Sequence, residues 1–243
     1  MVVATITLAR TQAQADQLYA ALACLSQLEL PIIVADGGSD RVFVDRLAAL
    51  PHVQLAAQRQ SETPGLVSQI QRALITAHGS GARDVFYTEP DKHWFFTHRL
   101  RDFLAYASNF PEDALVLAAR DPASFGTFPE GQQRTERMIN DLCAATFGCV
   151  GDYTYGPLLI PAVLVPHVEN VAADLGWGWR FWMMALAWRC KIPLRHAVAD
   201  LPCPLDQRSE DDQASRIYRM EQLAQNVRGL ALGLKHKLDA HRP

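Results

Sequence analysis

The segment DVFYTEPDKHWFF, Asp84 to Phe96, begins as an apolar strand and ends in charge, with Glu89, Asp91 and Lys92 inside four residues. Pro90 biases the residue before it, Glu89, toward an extended conformation. On an extended chain, residues two apart point the same way. Glu89 and Asp91 could therefore direct their oxygens at one point beyond the strand's end. Paired carboxylates there suit a hard divalent cation, Mg²⁺ or Mn²⁺, which completes its shell with phosphate oxygens. Such an ion would offset charge on a diphosphate leaving group, with Lys92 assisting. The same residues also fit a type I turn with Pro90 and Asp91 at its centre and the charges solvated. Spacing alone does not choose.

The elements around this segment decide where it sits. Val2 to Leu8 reads as a β-branched strand, and Gln12 to Gln27 as a helix with Ala15, Leu18, Tyr19, Leu22 and Leu25 on one face. PIIVADGGSD, Pro31 to Asp40, is a short apolar strand closed by an Asp-Gly-Gly turn. Val42–Leu50 predicts a helix, His52–Ala56 a strand, and Pro64–Ala77 a helix with proline near its start, stopped by Gly79 and Gly81. After the strand Asp84–Thr88 come helix Phe95–Ser108, strand Ala114–Ala119 and helix Thr135–Phe147. Such alternation predicts an α/β domain on a mainly parallel sheet, and ligands of such sheets collect at the carboxyl ends of strands. Asp36 and the Glu89/Asp91 pair both fall at strand ends and should share one edge.

Further along, Pro157–Ile160 reads as a strand, Pro161–Asp174 as a helix, Gly176–Cys190 as a very apolar helix and Ile192–Ala199 as a strand. A long helix runs from about Ser209 to Leu234, with Ser209 and Asp212 as its capping residues. No repeat, low-complexity tract or linker divides the 243 residues, so one domain is expected.

Composition removes other classes. With 49% hydrophobic and 20% charged residues the chain is globular, and a net charge of -3 offers no general attraction to nucleic acid. Five cysteines without a CxxC pair argue against a disulfide framework or zinc knuckle and suit a reducing compartment. No basic leader precedes the first strand, and no apolar run reaches the roughly 18 residues of a transmembrane helix. A cytoplasmic protein without a membrane span is the expectation.

PIIVADGGSD resembles the IIVVDDGSxD segment that ends the second strand in nucleotide-sugar glycosyltransferases of the GT-A fold, the family-two-like ones in particular. GLVSQIQRALITAHGSGARDVFYTEPDK resembles their next landmark, a glycine-led helix followed by a strand that ends in the DxD motif. The likeness runs from Val2 to about Ala119, weakens to about Ala199 and stops there. It implies a GT-A-type three-layer sandwich over 1–243, with 1–120 as the nucleotide-binding half and 121–243 as the acceptor half with a C-terminal helix, and transfer of a hexose from a UDP- or GDP-linked donor to a small or lipid-linked acceptor, assisted by Mg²⁺ or Mn²⁺. Residue by residue, it makes Asp36 the nucleotide-binding aspartate, Glu89 and Asp91 the first and second acids of DxD, and Arg10 a donor contact in the loop after the first strand. Lys92 joins them at the donor, and Asp91 counts as catalytic through the metal. Glutamate in place of the first aspartate is a departure.

GDYTYGPLLIP, Gly151 to Pro161, resembles the turn and strand that shape the acceptor site in these enzymes. An inverting enzyme needs a carboxylate base beside the acceptor hydroxyl. Relatives take it from a Glu-Asp pair at a helix start, where this chain has Trp179-Arg180. Asp152 then becomes the first candidate base; a retaining reaction or a copy without activity are the alternatives. Tyr153 and Trp179 are candidate acceptor contacts, against a core role for each. His196 is the candidate third metal ligand, as in some retaining relatives, against a buried structural histidine. Arg208 could close over a diphosphate, against a wet surface charge. A nucleotidyltransferase ranks lower, because the first strand lacks a glycine-rich, arginine-containing loop after it.

Overall fold

The computed structural model describes residues 1–58, 64–110, 113–209 and 211–237. Its centre is a seven-stranded sheet of β1 (Val2–Thr7), β2 (Ile32–Asp36), β3 (Val53–Leu55), β4 (Asp84–Tyr87), β5 (Leu115–Arg120), β6 (Leu158–Pro161) and β7 (Leu194–Ala199). Across the sheet the order is β3-β2-β1-β4-β6-β5-β7. Pairings β1–β2, β1–β4, β2–β3 and β5–β7 are parallel, while β6 runs antiparallel to both neighbours. The chain winds outward through β2 and β3, then crosses back to place β4 on the other side of β1. That reversal opens a crevice at the carboxyl ends of β1 and β4, the place where open α/β sheets bind ligands.

The strands are apolar on both faces because helices cover both. Val3, Ile32, Val34 and Phe86 meet one layer, containing α1 (Gln12–Ser26), α2 (Arg41–Ala48), α4 (His93–His98) and α5 (Leu100–Ser108). Ala4, Ile33, Val85 and Tyr87 meet the other, with α3 (Leu66–His78), α7 (Glu130–Phe147) and α8 (Trp179–Arg189). Successive residues thus serve opposite layers, as the two-residue pleat dictates. Within α3, Val67, Ile70, Ala73, Leu74 and Ala77 make the buried stripe. A short α6 (Pro122–Phe125) and the long α9 (Gln213–Lys235) complete the set.

Several boundaries differ from the sequence reading, each for a local reason. The helix expected over Phe95–Ser108 is two helices, because Arg99 leaves the helical region at φ −129°. In place of one α-helix over Pro161–Asp174 there are 3-10 turns at Ala162–Asn170 and Ala173–Gly178; Pro166 has no N–H to give an α-helical ladder. Gly176, at φ 57°, breaks the next helix so that α8 starts only at Trp179. The cap of α9 is Asp212, which accepts the Ser215 amide at 2.7 Å. Pro64 lies outside α3, whose cap position is Gly65.

The last helix closes the molecule by backbone contact. A Cβ at Gly229 of α9 would lie 2.0 Å from the Gly178 carbonyl oxygen, and one at Gly178 would lie 2.1 Å from the Gln225 carbonyl oxygen. Only hydrogen at both positions lets α9 lie against the start of α8.

Candidate active site at the carboxyl edge of the sheet

Asp36 ends β2 opposite Thr7 of β1. Its Oδ2 accepts the hydroxyls of Thr7 at 2.8 Å and Ser39 at 2.7 Å, and its Oδ1 accepts the amides of Gly38 and Ser39, both at 2.8 Å. The Ser39 hydroxyl oxygen in turn accepts the Ala9 amide at 2.8 Å. Asp36 therefore ties the loops after β1 and β2 into one rigid edge and has no oxygen left over. Beneath it, the Gln69 amide of α3 donates to the carbonyls of Thr7 and Ala35 at 2.9 and 3.2 Å. A cavity of about 550 Å³ opens on this edge, lined by Leu8, Arg10, Gly37 and Gly65 among others. Its size falls in the range of small-molecule sites. Helix α3 starts there with no side-chain cap on its first amides, which favours negative charge at that end.

Glu89, Pro90 and Asp91 form the opposite wall. Asp91 is 54% exposed at its side chain and pairs with Lys92 Nζ at 2.9 Å. Glu89 is 7% exposed, and neither of its carboxylate oxygens has a hydrogen-bond partner. The guanidinium Nη1 of Arg180 lies 3.6 Å from Glu89 Oε1, an ion pair without hydrogen-bond contact. Burial raises the Glu89 pKa above the ordinary carboxylate value, and the charges of Arg180 and Lys92 offset part of that. The Tyr87 hydroxyl is buried beside it, and burial, then the Glu89 charge, raises its pKa as well. Gly156 makes room for the pair. Its φ of +128° suits glycine, and a Cβ there would sit 2.7 Å from Glu89 Oε2 and 3.0 Å from Arg180 Nη1.

Beyond this wall lies a second, smaller cavity of about 180 Å³. Glu89, Asp91 and Trp177 line both cavities, so the acidic strip is the partition between them. The smaller one is dense in charge, with Lys92, Arg120, Glu136, Arg180 and Arg219 on its walls. Its roof comes from α9, where the Tyr218 hydroxyl accepts the Trp177 indole N–H at 2.9 Å.

Arg120, at the end of β5, organises the far wall. Its Nε and Nη2 donate to Asp152 at 2.6 and 3.0 Å, and Nη2 also donates to Glu136 at 2.7 Å and Thr154 at 2.6 Å. The rings of Phe125 and Phe128 lie 4.6 and 4.4 Å from its guanidinium carbon. Asp152 also accepts the Thr154 amide and hydroxyl and the Asn140 amide. Burial pushes the Asp152 carboxyl up, but the Arg120 charge and these hydrogen bonds outweigh it and hold the pKa at about 2. Every oxygen of Asp152 is occupied, and the residue stands behind the cavity wall rather than on it. This geometry positions Arg120; it presents no free base to an acceptor.

The other candidates from the sequence divide similarly. Tyr153 is buried, donates to the Cys149 carbonyl and packs its ring edge-on against His196, with centroids 4.6 Å apart. Its neighbour Tyr155 reaches the cavity. Trp179 is fully buried and packs edge-on against Tyr87 at 4.7 Å, while Trp177 reaches both cavities. Among the described residues no three His, Cys, Asp or Glu side chains come together as a metal cluster, so His196 does not join Glu89 and Asp91. Burial lowers the His196 pKa, and the ring packs in the Tyr153 cluster. Arg208 donates to the Cys203 carbonyl at 3.0 Å and does not line either cavity. Arg10 and Lys92 stand on the larger and smaller cavities respectively. Arg120, Glu136 and Arg219 are cavity residues that the sequence reading does not single out, whereas Trp177 shares with Trp179 the reading of a sugar platform at the helix mouth; Arg120 carries a usable signal, a charge closing the apolar run ALVLAA as Asp36 closes IIVA.

No protein-family model and no curated protein sequence matches the chain. Solved structures do. Glucosyl-3-phosphoglycerate synthase from Mycobacterium tuberculosis, in complex with Mn²⁺, uridine diphosphate and glucosyl-3-phosphoglycerate, superposes with a TM-score of 0.61 over 98% of this chain and 81% of that one, at 15% identity. A further form of that synthase holds Mn²⁺, UDP-glucose and phosphoglyceric acid, with the same TM-score, coverage and identity. A structure described as a mycobacterial protein gives 0.62 over 98% of this chain and 76% of that one, at 16% identity. These likenesses establish the fold: a three-layer α/β sandwich of the GT-A type on a mostly parallel sheet. Among the described residues, no helix is long and apolar enough to cross a membrane.

Proposed function

We propose that the protein is a nucleotide-sugar glycosyltransferase that moves a hexose from a nucleoside diphosphate donor to a small acceptor. One observation carries the reading: a buried carboxylate with two unpartnered oxygens, Glu89, and an exposed one, Asp91, form the partition between two cavities at the crossover of β1 and β4. In this reading the nucleoside end occupies the larger cavity, against Arg10, Gly37 and the edge braced by Asp36. The sugar and acceptor meet in the smaller one. Oxygen donors of this kind fit a hard cation. Glu89 and Asp91 would hold Mg²⁺ or Mn²⁺, which would offset diphosphate charge as the leaving group departs.

The chain's own residues then bind, orient and exclude. Lys92, fixed by Asp91, adds a cation on the leaving-group side. Asp152 acts through Arg120, locking it between Phe125 and Phe128, and Tyr155 and Trp177 give flat faces to a sugar ring. Catalysis of this kind rests on position and charge compensation. The UDP, UDP-glucose and phosphoglyceric acid bound by the structural neighbours support the reading, and make a UDP-linked donor the first to test, with GDP-linked donors second. The same reading places the protein in the cytoplasm, where its free cysteines stay reduced.

Calorimetric titration of UDP- and GDP-sugars, with and without Mn²⁺, tests this directly. Binding of one donor that strengthens with Mn²⁺ is expected; no binding to any by the folded protein overturns the proposal. A second reading is favoured by Arg180, which pairs with Glu89 where relatives of this fold place an acidic pair: a binding protein without turnover. Donor hydrolysis or transfer that disappears in Asp91→Ala excludes it.

A further inference from the structure

Arg180 is an anomaly that the proposed function leaves unused. It is 5% exposed, lines the smaller cavity, and its Nε–H is buried with no hydrogen-bond partner. The facing carboxylate of Glu89 stands 3.6 Å away and is itself without a hydrogen bond. A guanidinium out of water normally has its donors filled, since each unfilled one forfeits its hydration without return. Arg120, on the wall of the same cavity, comes much nearer that rule, with both its Nε and its Nη2 hydrogen-bonded. Lys92 and Arg219 add two more cations to the same walls. Trp177 holds the Arg180 guanidinium from one side, its ring centroid 5.6 Å from the guanidinium carbon. On the other, Gly156 keeps the space beside Nη1 open.

We infer that Arg180 is the oxyanion-binding residue of the smaller cavity, presenting a preformed guanidinium to a phosphoryl or carboxylate group of the ligand. The inference deepens the proposed function, and rests on it only for which substrate brings the group: the donor's terminal phosphate or an acid on the acceptor. Glu89 holds the guanidinium in place when the cavity is empty without filling its donors. On binding, the planar fork takes up the oxyanion.

The test is calorimetry on the whole protein in chelator-treated, metal-free buffer, so that loss of Glu89 as a metal-binding carboxylate does not enter, with three probes: UDP, phosphoglyceric acid and uridine. Wild type, Arg180→Gln, Arg180→Lys, Glu89→Gln and the double variant Glu89→Gln/Arg180→Gln are compared. The double variant removes both charges together and leaves no buried carboxylate without its cation, so it stays informative if Arg180→Gln fails to fold around an unpaired Glu89. The expected result is a loss of about tenfold or more in affinity for one oxyanion probe in Arg180→Gln and in the double variant. Arg180→Lys should lose less, Glu89→Gln should bind more tightly, and uridine affinity should be the same throughout. Loss confined to UDP identifies the donor phosphate as the source, and loss confined to phosphoglyceric acid identifies the acceptor. The inference is overturned if both probes bind the double variant as tightly as wild type, or if neither binds folded wild type. Arginine-dependent binding of the acid without any binding of UDP would uphold it while defeating the donor assignment above.

Discussion

Two buried arginines line one small cavity, and the fold treats them very differently. Arg120 is held by Asp152, Glu136 and Thr154 and sandwiched by two phenylalanine rings. Arg180, equally buried, has an unpartnered Nε and a carboxylate neighbour at 3.6 Å. Residue type and burial are the same; only the filling of hydrogen bonds differs. A buried charge tied to two carboxylates and a hydroxyl, as Arg120 is, is part of the scaffold, because removing any member strands the others. One whose bonds are left open keeps capacity for something that arrives later.

Breaking the closed pair should cost most. Arg120→Met leaves Asp152 and Glu136 buried without their cation, and a loss of about 3–5 kcal/mol is expected in urea unfolding. A loss near zero would mean that the closed network is not scaffold at all. Next comes the exposed acid of the open side. Asp91→Asn should reduce sugar transfer by about 10²–10³, yet leave the unfolding midpoint within about 0.5 kcal/mol of wild type, as for an exposed residue. A parallel fall in stability would move Asp91 to the structural side of the comparison.

Acid sharpens the contrast. The Asp152 pKa is held at about 2, below its ordinary 3.8, so its contribution is fully present above the unfolded value and is lost as pH falls through the folded one. Between about pH 4 and pH 2 this one group should account for about 2 kcal/mol of lost stability. Asp152→Asn should flatten that limb in a pH series of denaturant midpoints; an unchanged slope would show that Asp152 is not the group being protonated. The smallest effect belongs to Gly156→Ala. The +128° backbone and the contact with Glu89 predict about 1–2 kcal/mol of destabilisation, and a change in oxyanion affinity that alanine at Gly81, another positive-φ glycine but at +74° with open space around it, would not produce.

The half of the molecule around the larger cavity was legible in sequence because its signals are local. Short continuous apolar runs with Asp36 and Glu89 at or just past their ends mark β2 and β4, and glycines mark the stops. Asp36 was legible as a residue at the edge, but its job of binding Thr7 and Ser39 depends on a neighbour strand. The smaller cavity is made by pairing over distance, and there the reading thinned. Asp152 looked like a free acid in a loop; its owner, Arg120, lies 32 residues earlier. Trp177 and Trp179 are indistinguishable in a helical pattern, and the kink at Gly176 sends one to the cavities and the other into the core. Tyr218 and Arg219 reach the site only because α9 folds back across α8, which no spacing in the segment announces.

That fold-back has a consequence for ligand size. The ceiling over the smaller chamber is carried by a helix whose height is fixed at Gly178 and Gly229, two positions with no side chain and no place on the chamber wall. A single methyl group at either would lift the ceiling like a shim under a hinge. Evolution could therefore admit a bulkier ligand without altering any residue that touches it.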